Sequence, residues 1–107
     1  MQAVDPHAAL ALFADDPRYP QVRAQMHPSI GGAFAIPADT DDALVCMATL
    51  AAIISHRELL LAGGDTCNHV ARVKAIADTV GHDASRHYVT TKAGVGHWFE
   101  FTARVMA

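Results

Sequence analysis

Residues 42–62 read DALVCMATLAAIISHRELLLA, apolar at most positions, with Ser55-His56-Arg57-Glu58 as the main interruption. On a helix of about 3.6 residues per turn, Leu44, Val45, Cys46, Met47, Leu50, Ile53 and Ile54 point all the way round. A helix apolar on every side must be buried on every side. The pattern therefore predicts one long helix over 42–62, roughly 30 Å from end to end, either central to the fold or covered by a second subunit. An acidic turn, Asp39-Thr40-Asp41-Asp42, precedes it, and Gly63-Gly64-Asp65-Thr66-Cys67 follows.

The flanking patterns are shorter. Asp5-Pro6 sets an N-cap before a proline at the first helical position, predicting a helix to about residue 14. Asp15-Asp16-Pro17 ends it, and Pro20 leaves room for a second helix over about 21–26. Pro28, Gly31, Gly32 and Pro37 make 27–39 a connection or an irregular extended segment. Val70, Val73, Ile76, Ala77 and Val80 recur at three and four residues, and Gly81 stands where a helix-ending glycine belongs, so a helix is expected over 66–80. After it, His87–Thr91 and Trp98–Thr102 are β-prone around a glycine-containing turn, which predicts a C-terminal hairpin. Alternation puts Phe99 and Phe101 on the inward side and leaves Trp98 free. The expected fold is one α-rich α+β domain over 1–107, with the long central helix, three or four further helices and the hairpin.

Composition sharpens this in one respect. With 51% apolar and 18% charged residues, the 107-residue chain holds more apolar side chains than one small core needs, and a subunit interface is the usual destination. A homo-oligomer is expected. The 8 basic side chains are scattered against 11 acidic ones, for a net charge of −3, so no basic track suited to nucleic acid exists. No run reaches the 18 or so apolar residues of a membrane span, and the N-terminus lacks the basic-then-apolar order of a secretory signal. Two cysteines, Cys46 and Cys67, make no disulfide framework, so the expected setting is cytoplasmic.

Candidate chemistry rests first on the two acidic turns. Aspartate and threonine oxygens suit hard cations. Thr40-Asp41-Asp42 and Gly63-Gly64-Asp65-Thr66 resemble the two metal motifs of the ADP-ribosylglycohydrolase family. That resemblance implies an all-helical protein holding Mg²⁺, with Thr40, Asp41 and Asp42 as one ligand group and Asp65 and Thr66 as the other. It also implies hydrolysis of ADP-ribosyl conjugates. Ala43 and Cys67 depart from the family pattern. The predicted helix would hold the two turns about 30 Å apart, so one chain could not close the site unless subunits complemented each other. The other reading of the same residues is helix capping by the acidic cluster and by Asp65 or Thr66.

Seven histidines is a high count, and Cys67-x-His69 opens a predicted helix. Thiolate and imidazole suit Zn²⁺, yet no zinc-type spacing occurs. A Cys/His pair after Arg57-Glu58-Leu59 also resembles small helical carboxymuconolactone decarboxylase-like proteins, which implies redox use of Cys67. Trp98 and Tyr88, flanking the hairpin turn, and Arg57, breaking the apolar run, are the candidate ligand-binding residues. The function expected is a small self-associating domain that binds a small molecule, the alternative being the Mg²⁺-dependent hydrolase.

Overall fold

The computed structural model describes residues 3–37, 40–62, 67–92 and 94–104. The elements follow in the order α1 (Pro6–Ala11), α2 (Tyr19–Gln25), β1 (Phe34–Pro37), α3 (Asp42–Ile54), β2 (Leu59–Ala62), α4 (Cys67–Thr79), β3 (His82–Thr91) and β4 (Gly94–Ala103). Each helix begins or ends where local chemistry permits. Asp5 caps α1 by accepting from the His7 amide, and Gly81, at φ +76°, closes the chain leaving α4.

The long central helix predicted over 42–62 is absent. α3 stops at Ile54 after 13 residues, and the rest of the apolar run is a turn and the strand β2. The stop is local. Ser55 is the C-cap, and His56 takes the left-handed conformation at φ +56°. The His56 amide donates to the Ile53 carbonyl at 3.2 Å and the Arg57 amide to the Ala52 carbonyl at 2.8 Å. These are the 5→2 and 6→1 bonds of a Schellman motif. The residue at its left-handed position is usually glycine, and here it is histidine, so composition does not advertise the break. Ser55 adds a further bond, its hydroxyl donating to the Ala51 carbonyl at 2.6 Å.

Reversal of the chain at His56 turns an expected helical layer into a sheet. The strand order is β1-β2-β4-β3. β1 and β2 are parallel, with Phe34 opposite Leu59 and Pro37 opposite Ala62, so β1-α3-β2 is a βαβ unit. β4 runs antiparallel to both β2 and β3. β3 is consequently parallel to β2, with α4 as its crossover. The expected hairpin spans a longer stretch than its β-prone residues alone, from His82 to Ala103, and it completes a four-stranded sheet rather than resting alone on helices.

Period-2 alternation decides the two faces of that sheet. Phe34, Ile36, Leu59, Leu61 and Phe99 face one side and are buried, while Ala35 and Pro37 on the other side are exposed. α3 and α4 pack on each other and on the buried face, and α1 and α2 pack on α3. Val45, Met47, Ala48, Leu50, Ala51, Ala52 and Ile53 of α3 fill the centre with Val73 and Ala77 of α4. The all-round burial read from α3 is met within one chain, by strands on one side and helices on the others. Thr49, the buried polar residue of this centre, donates its hydroxyl to the Val45 carbonyl at 2.7 Å. Among the described residues no helix is long and apolar enough to cross a membrane.

Candidate functional site

Because β1 and β2 are parallel neighbours, their carboxyl ends leave the sheet side by side. Adjacent strands lie about 4.8 Å apart, so Pro37 and Ala62, their last residues, stand side by side at one edge. Thr40, Asp41 and Asp42 follow that end of β1, while Gly63, Gly64, Asp65 and Thr66, the second acidic turn, lie outside the described residues. Thr40, Asp41 and Asp42 lead from β1 into α3, and the segment after Ala62 leads into α4. Carboxyl ends of parallel strands are where open α/β sheets commonly bind ligands.

Each described group at this edge has a definable state. Asp41 is the N-cap of α3, its carboxylate accepting from the Leu44 amide at 2.9 Å and from Arg18 Nη1 at 2.9 Å. The Arg18 guanidinium, then the Leu44 amide, hold the Asp41 carboxyl below the usual carboxylate range. Arg18 is anchored in turn by Asp16, whose pKa falls to about 2 under its hydrogen bonds with Arg18. Asp42 faces α4: its Oδ2 lies 3.2 Å from Arg72 Nη2, and its Oδ1 is 3.6 Å from His69 Nδ1, too long for a hydrogen bond. Two atoms at the edge have no hydrogen-bond partner among the described residues. Thr40 Oγ1 and His69 Nδ1 are both buried and unbonded.

A third such atom belongs to His97 on β4, opposite Leu61 near the carboxyl end of β2. Its ring packs at 5.3 Å on Tyr88, and the Arg86 guanidinium lies 4.7 Å above the Tyr88 ring. Burial, with Arg86 adding to it, lowers the His97 pKa. His97 lies at the same end of the sheet as Thr40 and His69. Its signal in the sequence is alternation: it shares a face with Phe99 and Phe101, so a titratable group belongs to the inward row.

The candidate residues do not form one site. Tyr88 is paired with His97 on the helix-side face, while Trp98 pairs with Leu60 and His87 on the other, so the two aromatics cannot line one pocket. Arg57 lies beyond the opposite end of β2 and is occupied by backbone. Its Nε donates to the Gly32 carbonyl at 2.8 Å, Nη1 to that of Gln25, and Nη2 to those of Gly31 at 3.4 Å and Ala33 at 3.3 Å. The guanidinium also lies 4.5 Å above the Phe34 ring. Asp65, Thr66 and the Cys67 side chain fall outside the described residues. Among the described residues no three His, Cys, Asp or Glu side chains group as a metal centre requires. Asp41, committed to a cap and an arginine, does not fit a Mg²⁺ ligand.

Compared with protein families, with curated proteins and with solved structures, the chain gives no match in any of the three. The functional reading accordingly rests on the geometry.

Proposed function

We propose that the protein is a self-associating domain that binds a small, hydroxyl-rich molecule at the carboxyl edge of β1 and β2. The observation that carries the site is the pair of buried, unbonded atoms Thr40 Oγ1 and His69 Nδ1. Buried polar atoms are almost always hydrogen-bonded, and leaving one unmade costs about 1–3 kcal/mol. A ligand hydroxyl both donates and accepts, so one such group suits a threonine hydroxyl and an imidazole of either tautomer. Both described carboxylates at the edge are already paired, Asp42 with Arg72 and Asp41 with Arg18. A neutral polyol portion therefore fits better than a bare ion. Self-association is supported by the apolar composition of so short a chain.

The test is calorimetric titration of the whole chain with ADP-ribose, a hydroxyl-rich probe, with and without Mg²⁺. Binding without metal, lost in Thr40→Val and in His69→Phe, is the expected result. No heat under either condition overturns the site. Binding that requires Mg²⁺ would favour the second reading, a hydrolase of ADP-ribosyl conjugates. That reading loses from the commitment of Asp41 to Arg18 and the Leu44 amide.

A further inference from the structure

We propose that a cavity at the amino end of β2 binds a short aliphatic amine in its ammonium form. The cavity lies at the other end of β2 from the edge described above, and the inference does not depend on that reading. It exists because β2 begins at Leu59, opposite Phe99, while β4 runs on to Ala103. Residues 56–58 cross the gap that β2 leaves beside β4, and a space of about 230 Å³ remains open there. A water molecule takes about 30 Å³ of the liquid, so the space suits a ligand of only a few heavy atoms.

The polar lining calls for a cation with hydrogens to donate. Glu58 stands one residue before Leu59 and Glu100 one residue after Phe99, so two carboxylate side chains line the cavity from neighbouring segments. Like charges opposed in this way repel. Among the described residues the one basic group within ion-pair distance of either is His87, whose Nε2 lies 3.7 Å from Glu100 Oε1, too long for a hydrogen bond. Arg57 gives its guanidinium to the backbone carbonyls of Gln25, Gly31, Gly32 and Ala33 instead. His82 Nδ1 is 2.9 Å from the Val80 carbonyl oxygen, which can only accept. Nδ1 therefore carries the proton, and Nε2 of the neutral ring is an acceptor. The carboxyl end of α3, at Ala52 and Ile53, forms a further wall, and the negative end of a helix dipole favours a cation.

An organic cation fits this lining better than a metal ion. Among the described residues no three His, Cys, Asp or Glu side chains group as a metal centre requires. The rest of the wall is apolar, with Ile53 buried and Phe101 half-buried. An ammonium group brings three donors for carboxylate and imidazole acceptors, and its alkyl stem would lie along Ile53 and Phe101.

The experiment titrates the whole chain with n-butylammonium chloride at fixed ionic strength and follows the backbone amide chemical shifts. Saturable shifts at residues 56–58 and 101–103 are expected. Tetramethylammonium has the charge without a donor, and 1-butanol has the stem without the charge. Each should bind about tenfold more weakly or worse, the loss of one charged hydrogen bond. Glu58→Gln and Glu100→Gln should each cost about tenfold in affinity for n-butylammonium. Asp15→Asn removes the same charge from an exposed position outside the cavity and should leave that affinity unchanged. Should Glu58→Gln not fold, Glu100→Gln carries the test, its side chain being 58% exposed. No saturable binding by the wild type overturns the proposal. Equal binding of tetramethylammonium, or unchanged affinity in Glu100→Gln, overturns it as well.

Discussion

Asp42 Oδ2 stands 3.2 Å from Arg72 Nη2, joining the first turn of α3 to α4 across the edge where β1 and β2 end. Its neighbour Asp41 points the other way, capping α3 and holding Arg18. Two adjacent aspartates thus have separate duties, and mutation should separate them. The Asp42 side chain is 59% exposed, and exposed ion pairs contribute about 0–1 kcal/mol. Asp42→Asn is expected to change stability by less than about 1 kcal/mol. Asp41→Ala removes an N-cap and should cost about 1 kcal/mol or more, up to about 2. Urea denaturation of the two variants checks this, and equal losses would contradict the assignment of Asp41 as the cap.

Arg57 fastens the segment before β1 to the turn after α3 through four backbone carbonyls. Lysine keeps the charge but loses the planar fork that reaches several acceptors at once. Arg57→Lys should therefore cost about 1.5–3 kcal/mol, the range of one charged hydrogen bond, and should speed proteolysis between residues 25 and 34. Wild-type stability in this variant would return Arg57 to the list of residues free to meet a ligand.

What was legible in the sequence followed from signals confined to a few residues. Asp5-Pro6 marked a helix start, Gly81 a helix end, and the alternation about Phe99 and Phe101 gave the inward side of β4. The error over 42–62 has one cause. A left-handed C-terminal position is normally read from glycine, and His56 occupies it, so Leu59–Ala62 looked like more helix although a short leucine run serves a buried strand equally well. With that strand unseen, β1 could not be recognised either, since Phe34–Pro37 has meaning only beside a parallel partner. The site suffered in consequence. Asp42 and His69 come within 3.6 Å of each other because α3 and α4 pack side by side, a relationship between residues far apart in the chain that no local pattern encodes.

Acid should weaken the fold through His97 before it reaches the carboxylates. Its pKa lies below the ordinary value of 6.5, so the unfolded chain takes up the proton first. Stability from the neutral ring is complete above about pH 6.5 and is lost as pH falls toward and below the folded pKa. Asp16 acts in a lower window, keeping its contribution above 3.8 and losing it toward 2. The stability of His97→Gln should fall less than that of wild type between about pH 7 and pH 5. Identical slopes in the two proteins would show that His97 does not control this limb.

The last expectation concerns Gly96, where the hairpin passes beside β2. A Cβ built there would lie 3.0 Å from the Leu61 carbonyl oxygen, 3.1 Å from Thr91 Cγ2 and 3.2 Å from Leu60 Cδ1. The side-chain atoms can rotate aside, but the carbonyl belongs to a strand paired with β4 and cannot move without disturbing the register of Leu61 with His97. Gly96→Ala should thus destabilise by about 1–3 kcal/mol, the usual cost of overpacking, although alanine suits a strand better than glycine elsewhere. Gly94→Ala is the informative contrast: its φ is +114° but nothing lies within 4 Å of its Cβ, so it strains only the turn and should leave the packing of β4 on β2 unchanged. Thermal denaturation and amide hydrogen exchange of both variants separate a clash against β2 from strain in the turn. A Gly96→Ala protein as stable as wild type would mean that the two strands are not packed this closely.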